Sequence, residues 1–132
     1  MIGVAMRRVL LDGEPTGLLA LSCEQFTARA LGCWRWGGRV PRGMALWLAP
    51  CSVVHTFGLP RSIEVVFCNR SGHILGVCAP VEPHRLAWCR AAAGAFELRA
   101  GTSLRLGLRT GQCLQLERAG PVSGPRVVRG HG

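Results

Sequence analysis

Short apolar runs separated by turn-forming residues recur along most of the chain. Residues 6–11 and 17–21 are apolar, and Asp12-Gly13 stands in the connection between them. Because an Asp-Gly pair adopts the left-handed backbone of a tight hairpin turn, the two runs predict paired strands. Similar runs predict further strands over 44–48, 53–56, 62–69, 73–79, 94–99 and 112–117.

Two short helices are predicted between these strands. Ser22 and Gln25 have the spacing of a capping box, and Gly32 supplies a left-handed stop, so a helix is expected from Ser22 to about Gly32. A second helix of one or two turns is expected over 101–107. Within the strand at 94–99, alternation predicts that Phe96 points inward and Glu97 outward.

The composition fits one folded domain with many turns. Of 132 residues, 48% are hydrophobic and 17% charged, as in a folded globule. Eighteen glycines and eight prolines favour short elements joined by tight turns. We therefore predict an all-β fold, a compact β-sandwich or barrel-like single domain over residues 1–118 with the two short helices attached. Residues 119–132 are predicted to form a flexible tail.

The net charge of +9 raises the question of nucleic acid. All sixteen basic residues are arginines, and apart from Arg7-Arg8 they are scattered singly, with no basic run and no aromatic-basic stacking motif. This pattern argues against a nucleic-acid partner and favours a basic, solvated surface. A basic nucleic-acid-binding domain stays as an alternative.

The cysteines and the apolar stretches bear on cofactors and location. Seven cysteines form no Cys-x-x-Cys pair, so a structural zinc site is poorly supported. No metal is assigned from the sequence, and no cofactor is expected. Cys68 and Cys78 lie inside apolar runs, where they would act as small hydrophobic residues. The beginning of the chain lacks the apolar core of a signal peptide, and prolines and glycines interrupt the uncharged stretch 43–60. We expect no membrane span and a reducing, cytoplasmic location.

The candidate site is the stretch that contains Cys51, His55 and Thr56, together with Arg61 and Glu64 beyond the following turn. On an extended strand Cys51 and His55 share a face but lie about 13 Å apart, too far for a nucleophile pair. If the strands at 53–56 and 62–69 pair, His55 and Glu64 come within about 5 Å. His55 then either orients the turn, with Glu64 or Arg61 as partner, or joins Glu64 and Cys51 in a metal or small-ligand site.

Three other features carry candidate chemistry. The loop with Trp34 and Trp36 is either a packing lid over the core or a platform on which a ligand stacks. Trp88 is expected to pack against the core. His73 and His84 have no supporting neighbours in the sequence and are expected at the surface.

Five separated segments resemble one prokaryotic family in order and spacing over residues 7–118. They are Ala30-Leu31-Gly32, Gly43-Met44-Ala45-Leu46, Pro50-Cys51-Ser52-Val53-Val54-His55-Thr56-Phe57-Gly58-Leu59, Ile63-Glu64-Val65-Val66-Phe67 and Phe96-Glu97-Leu98-Arg99-Ala100-Gly101. The family is domain of unknown function 192. The resemblance implies a compact β-sandwich or barrel-like domain with a short helix, no established reaction or ligand and, for related Cys-x-x-x-His-Thr-Phe-Gly members, an association with pilus or secretion assembly.

The chain departs from the family pattern at several positions. Pro60-Arg61-Ser62 stands where the family has Arg-Phe-Pro, and Glu64 replaces an aspartate. Gly58 replaces the asparagine of other branches, and Gln112 replaces a closing aspartate. If the family's site depends on those acids, this chain has a weakened or altered site.

Three functions are compatible with these residues. The first is a non-enzymatic binding or accessory module that presents the His55–Glu64 turn and the Trp34/Trp36 loop to a protein segment or a small ligand. The second is a metal- or thiol-dependent, hydrolase-like enzyme centred on Cys51, His55 and Glu64. The third is the basic nucleic-acid-binding domain.

Overall fold

The computed structural model describes residues 4–23 and 37–118, and the described part of the chain is all-β, as the sequence predicts. In chain order its elements are β1 (Val4–Leu11), β2 (Glu14–Cys23), β3 (Met44–Leu48), β4 (Val53–His55), β5 (Ile63–Cys68), β6 (Ile74–Val81), β7 (Leu86–Trp88), β8 (Gly94–Arg99), α1 (Thr102–Leu106) and β9 (Leu114–Leu116). No described helix is long and apolar enough to cross a membrane.

The first hairpin is tighter than the sequence suggested. Asp12 and Gly13, at φ 50° and 87°, form the whole turn, and Leu11 pairs directly with Glu14.

The predicted helix start at Ser22 is wrong, because Ser22 and Cys23 belong to β2 and pair with β1 on one side and with β3 on the other. Backbone pairing to two neighbours outweighs a local capping box. The rest of that predicted helix, Trp34, Trp36 and residues 119–132 lie outside the described residues.

Seven strands form one sheet in the order β6-β5-β8-β3-β2-β1-β9, in which only the β2–β3 pair is parallel. The two ends of this sheet meet at one corner, where a bridge joins His73 to Cys113. There the amide of Ile74 donates to the carbonyl of Gln112 at 2.8 Å, and the amide of Leu114 donates to the carbonyl of Gly72 at 2.8 Å. The sheet is thus curled and closed at one corner, which gives it a barrel-like form.

Both faces of the central strands are covered by apolar side chains. In β5, Val65 and Phe67 belong to one buried cluster, and Val66 and Cys68 belong to a second cluster on the opposite face. All six residues of β5 are buried as a result. Glu97 of β8 is also buried, only 4% exposed, so the prediction that it faces solvent is wrong. Alternation identifies a solvent face only when one side of the sheet is open.

Strands β4 and β7 form a separate two-stranded antiparallel ribbon. Val54 and Ala87, the central residues of the two strands, point inward and belong to the same buried cluster as Phe67. The ribbon therefore covers one face of the main sheet. The residues on either side of Val54 and Ala87 point the other way and are exposed.

Candidate functional site

The outer side of the ribbon carries His55 of the predicted site and a set of exposed apolar side chains. Val53 lies opposite Trp88, and His55 lies opposite Leu86. Phe57 follows at the turn, where its ring stacks on that of His55 with centroids 5.2 Å apart. The apolar members are 50–69% exposed: Val53 54%, Phe57 50%, Leu86 51% and Trp88 69%. We call the set of Val53, His55, Phe57, Leu86 and Trp88 the ribbon face.

Thr56 holds the turn below the ribbon face in place. Its side chain is fully buried, and its hydroxyl donates to the carbonyl of Glu82 at 2.6 Å and accepts from the amide of Arg85 at 2.9 Å. Its backbone amide donates to the carbonyl of Arg85 at 2.9 Å, and its carbonyl accepts from the amide of His84 at 2.9 Å. Thr56 thus fixes the turn after β4 to the segment before β7, which is a structural role.

Two imidazoles complete the turn by accepting backbone hydrogen bonds. Nδ1 of His55 accepts from the amide of Phe57 at 3.2 Å, and Nδ1 of His84 accepts from the amide of Gly58 at 3.1 Å. His55 therefore orients the turn, as one of the two interpretations proposed, but its partner is the turn's own backbone. His84 is exposed as expected, yet it does have a partner, which corrects the expectation that it stands alone.

Glu64 serves a different part of the molecule. It is 5% exposed, and its two carboxylate oxygens accept from the amides of Gly101 and Ser103, both at 2.7 Å. The carboxylate thereby caps the start of α1, whose preceding residue supplies no side-chain cap. The expected His55–Glu64 pair is wrong, because β4 pairs with β7 whereas β5 pairs with β6 and β8.

Cys51 and Arg61 lie apart from this capping interaction as well. The amide of Cys51 donates to the carbonyl of Ala93 at 3.2 Å, and its thiol donates to the carbonyl of Val53 at 3.2 Å. Arg61 is exposed on the segment before β5 and lines a groove with Arg39 and Arg99. Of the predicted site residues within the described chain, the structure brings together His55 and Thr56 around the turn.

Burial affects the thiols of two other cysteines, Cys68 and Cys78. Burial raises the pKa of the Cys68 thiol from its ordinary value of 9.0 to about 12, and burial also raises the pKa of the Cys78 thiol. Both thiols stay protonated at neutral pH and act as the small hydrophobic residues that the sequence suggested. Within the described residues no group of three histidine, cysteine or acidic side chains could hold a metal ion.

The sequence pattern did not predict that apolar side chains of the site are exposed. Trp88 was expected to pack, but it is the most exposed tryptophan or phenylalanine of the described chain. The signal was present in the runs Val53-Val54-His55 and Leu86-Ala87-Trp88. In a strand, the central residue of each run points to one face and its two neighbours point to the other, so one of these two faces can be buried while the other is open. Which side is buried depends on what the ribbon covers.

Comparisons with known proteins support the fold. No protein-family model matches the chain, and no curated protein matches it. The chain is similar to a crystal structure of a proposed transcription regulator from Sinorhizobium meliloti 1021, with a TM-score of 0.72 and 20% identity over 88% of this chain and 97% of the other. It is also similar to a protein of unknown function from Novosphingobium aromaticivorans, with a TM-score of 0.70 and 12% identity over 87% of this chain and 88% of the other. At these identities the likeness concerns the fold alone.

Proposed function

We propose that the chain is a non-enzymatic binding module that docks a segment of another protein on its ribbon face. The observation that carries the proposal is the exposure of Val53, Phe57, Leu86 and Trp88 on one side of a ribbon whose other side is buried. Contiguous exposed apolar side chains mark interaction sites in folded proteins. Tryptophan is also enriched among the residues that dominate binding free energy.

The charges around the ribbon face favour an acidic partner. Arg85 immediately precedes Leu86, and exposed Arg90 follows Trp88 by two residues. The acid nearest to them in sequence is Glu82, whose Oε1 lies 3.9 Å from Nη2 of Arg85 in an exposed ion pair. With a net charge of +9 on the chain, a partner segment that combines apolar and acidic side chains is complementary in both respects.

The turn beneath the ribbon face supports a docking role because it is held rigidly. Thr56, His55 and His84 fix the backbone of the turn through hydrogen bonds, so little conformational entropy is lost there when a partner binds. A rigid platform suits recognition of a partner segment that becomes ordered on binding.

We further propose that the chain is a member of domain of unknown function 192 and acts as an accessory to pilus or secretion assembly on the cytoplasmic side. Support for membership comes from the five segments that agree in order and spacing. Support for a reducing compartment comes from Cys68, Cys78, Cys89 and Cys113, which form no disulfide in the described structure. An assembly accessory requires a protein-docking surface, which the ribbon face would supply.

The enzyme alternative has less support. It requires Cys51, His55 and Glu64 to act on one substrate, whereas their side chains bond to the Val53 carbonyl, the Phe57 amide and the amides at the start of α1. A metal- or thiol-dependent reaction would need at least two of them to converge.

Site-specific photocrosslinking in cells tests the docking role. A photoreactive phenylalanine analogue is placed at Trp88, at Phe57 and, as a matched control, at Leu104, which is 90% exposed on α1. We expect positions 88 and 57 to crosslink to the same protein, through an acidic and apolar segment, and position 104 not to do so. Crosslinking to a second copy of the chain would instead make the ribbon face a homodimer interface.

A binding measurement with the purified partner completes the test. Trp88→Ser is expected to raise Kd at least tenfold, since truncation of a central tryptophan typically costs about 2 kcal/mol or more of binding free energy. Leu104→Ser is expected to leave Kd unchanged. Equal affinities for the wild type and Trp88→Ser would refute docking on the ribbon face.

A further inference from the structure

A second surface, lined by none of the ribbon-face residues, gathers five arginines from four segments of the chain. Two adjoining grooves share Arg99 and Ala100 in their walls. The larger, of about 830 Å³, is also lined by Arg39 and Arg61, and the smaller, of about 420 Å³, by Arg42 and Arg105. We call these two compartments the arginine groove. All five arginines are exposed.

The fold brings these arginines together through close backbone contacts. Arg99 at the end of β8 pairs in register with Ile63, two residues after Arg61. Gly38, at φ 84°, lies so close to Pro60 that a Cβ there would come within 2.8 Å of the proline ring. Arg39 and Arg61 are therefore carried by two segments in direct contact, and their positions relative to Arg99 are fixed.

No acid of the described residues neutralises the charge of the arginine groove through an ion pair. None of the five arginines forms an ion pair with an acid among residues 4–23 and 37–118, where the ion pairs are Arg8–Glu117 and Arg85–Glu82. The carboxylate of Glu64 contacts Gly101 in the wall of the smaller compartment, and both of its oxygens accept from backbone amides. Five like charges on a concave surface repel one another and destabilise the free protein, and a bound anion would remove that repulsion.

From this arrangement we propose that the arginine groove binds a small molecule that carries two or more phosphate groups. Guanidinium groups match phosphate oxygens with two parallel hydrogen bonds, which makes arginine the side chain best suited to such a ligand. The compartment volumes lie within the range of small-molecule sites. Because the two compartments meet at Arg99, phosphates of one ligand can occupy both and share that arginine.

A single nucleic-acid strand fits the arginine groove less well. Binding of single strands depends on bases that stack on aromatic side chains as well as on basic residues. The described residues that line the two compartments include no aromatic side chain, and the apolar wall of the larger compartment includes Val40, Pro41, Pro60 and Pro83. The geometry thus favours contacts with phosphate over contacts with bases.

Isothermal titration calorimetry with sodium tripolyphosphate tests the proposal. We expect the wild type to bind it, and Arg99→Gln to weaken binding about tenfold, as for the loss of one charge-assisted contact. Arg61→Gln, in the other wall of the larger compartment, is a second variant that should weaken binding. Arg70→Gln is the matched control, because it removes one exposed arginine from the turn at the far end of β5 and should leave Kd within about twofold.

Two further titrations identify the ligand class. Orthophosphate should bind at least about tenfold more weakly than tripolyphosphate, since it can occupy one compartment only. A twelve-nucleotide oligothymidylate should bind more weakly than tripolyphosphate at the same salt concentration. The proposal is overturned if tripolyphosphate does not bind at millimolar concentration, if Arg70→Gln weakens binding as much as Arg99→Gln, or if the oligothymidylate binds more tightly and loses affinity in Arg99→Gln. Trp88→Ser should not change these values, so this test is independent of docking on the ribbon face.

Discussion

The central strands β5 and β8 and the ribbon of β4 and β7 place polar and apolar residues in opposite ways. The centre buries carboxylates: Glu64 and Glu97 are 5% and 4% exposed. The ribbon exposes apolar side chains, with Trp88 69% and Val53 54% exposed. The strands of both regions consist mainly of apolar residues, so the difference in the exposure of those residues comes from their surroundings.

The comparison teaches where function can be sought in this fold. At the centre, both sheet faces are covered, and the carboxylate of Glu64 is used to complete the backbone hydrogen bonding of α1. On the ribbon, one face is covered and the other is open. The exposed apolar side chains there contribute little to the stability of the free chain. The titratable residues His55 and Glu64 of the predicted site therefore have structural roles, and the exposed apolar residues around His55 are candidates for recognition.

The largest effect is expected from truncating a central aromatic. Phe96 is fully buried, with its ring centroid 4.6 Å from that of Trp47. Phe96→Ala should lower the free energy of unfolding by about 3–5 kcal/mol, because it removes buried contacts and leaves a cavity. Urea denaturation measures this value. Trp88→Ala, the matched truncation on the ribbon, should change it by no more than about 0.5 kcal/mol. Equal losses would show that the ribbon belongs to the core.

Removing the charge of Glu64 should have the next largest effect. Glu64→Gln keeps the size of the side chain but replaces one acceptor oxygen with a donor, so the amide of Gly101 or Ser103 loses its partner. We expect a loss of about 2 kcal/mol in the free energy of unfolding, measured by urea denaturation. The control Glu82→Gln changes an exposed carboxylate and should cost less than about 0.5 kcal/mol. If the two variants are equally stable, the cap at α1 contributes nothing.

Loosening the ribbon at Thr56 should have a smaller effect. Thr56→Val keeps the shape and removes the hydroxyl that bonds to the carbonyl of Glu82 and the amide of Arg85. We expect a loss of about 1–2 kcal/mol in the free energy of unfolding and faster hydrogen exchange at the Arg85 amide. Thr56→Ser keeps the hydroxyl and should retain the stability and the exchange rate of the wild type. Unchanged exchange in Thr56→Val would show that the backbone hydrogen bonds alone hold the turn.

The effect that is smallest at neutral pH concerns the titration of Cys68 in the central strand β5. Because burial raises the pKa of Cys68 to about 12, the unfolded chain loses this proton first as the pH rises above 9.0. The stability contributed by the protonated thiol is therefore fully present below pH 9 and is lost between pH 9 and 12. The fall in unfolding free energy with pH should be steeper in the wild type than in Cys68→Ala over that range. Identical slopes would contradict the raised pKa.

Much of the fold follows from local sequence. The Asp12-Gly13 hairpin, the strands around Phe67 and Phe96, and the short helix that ends at Gly107 were all predicted, since each depends on turn residues and a nearby apolar run. The predicted helix start at Ser22 was wrong because pairing with β1 and β3 extends β2 through that residue. Local patterns do not reveal how many neighbours a strand has.

The candidate site was predictable only in part. The sequence identified His55 and Thr56 as members of the candidate site and predicted that His55 orients the turn, but it assigned Glu64 or Arg61 as the partner of His55 where the structure has the amide of Phe57. It did not identify Trp88 and Leu86 as neighbours of His55, because they are about thirty residues away and meet it only through the pairing of β4 with β7. The assignment of Glu64 to His55 failed for the same reason: it assumed that strands adjacent in sequence are adjacent in the sheet.

By itself the sequence determined the class of fold, most strand positions, the tight turns and the basic charge of the chain, because these depend on composition and on interactions between residues close in sequence. The tertiary structure decided which strands pair, which faces are covered, that Glu64 caps α1, that Trp88 is exposed and that five scattered arginines line one groove. These properties depend on contacts between distant segments. Burial of apolar surface, which is not directional, drives such contacts, and backbone hydrogen bonding determines their geometry.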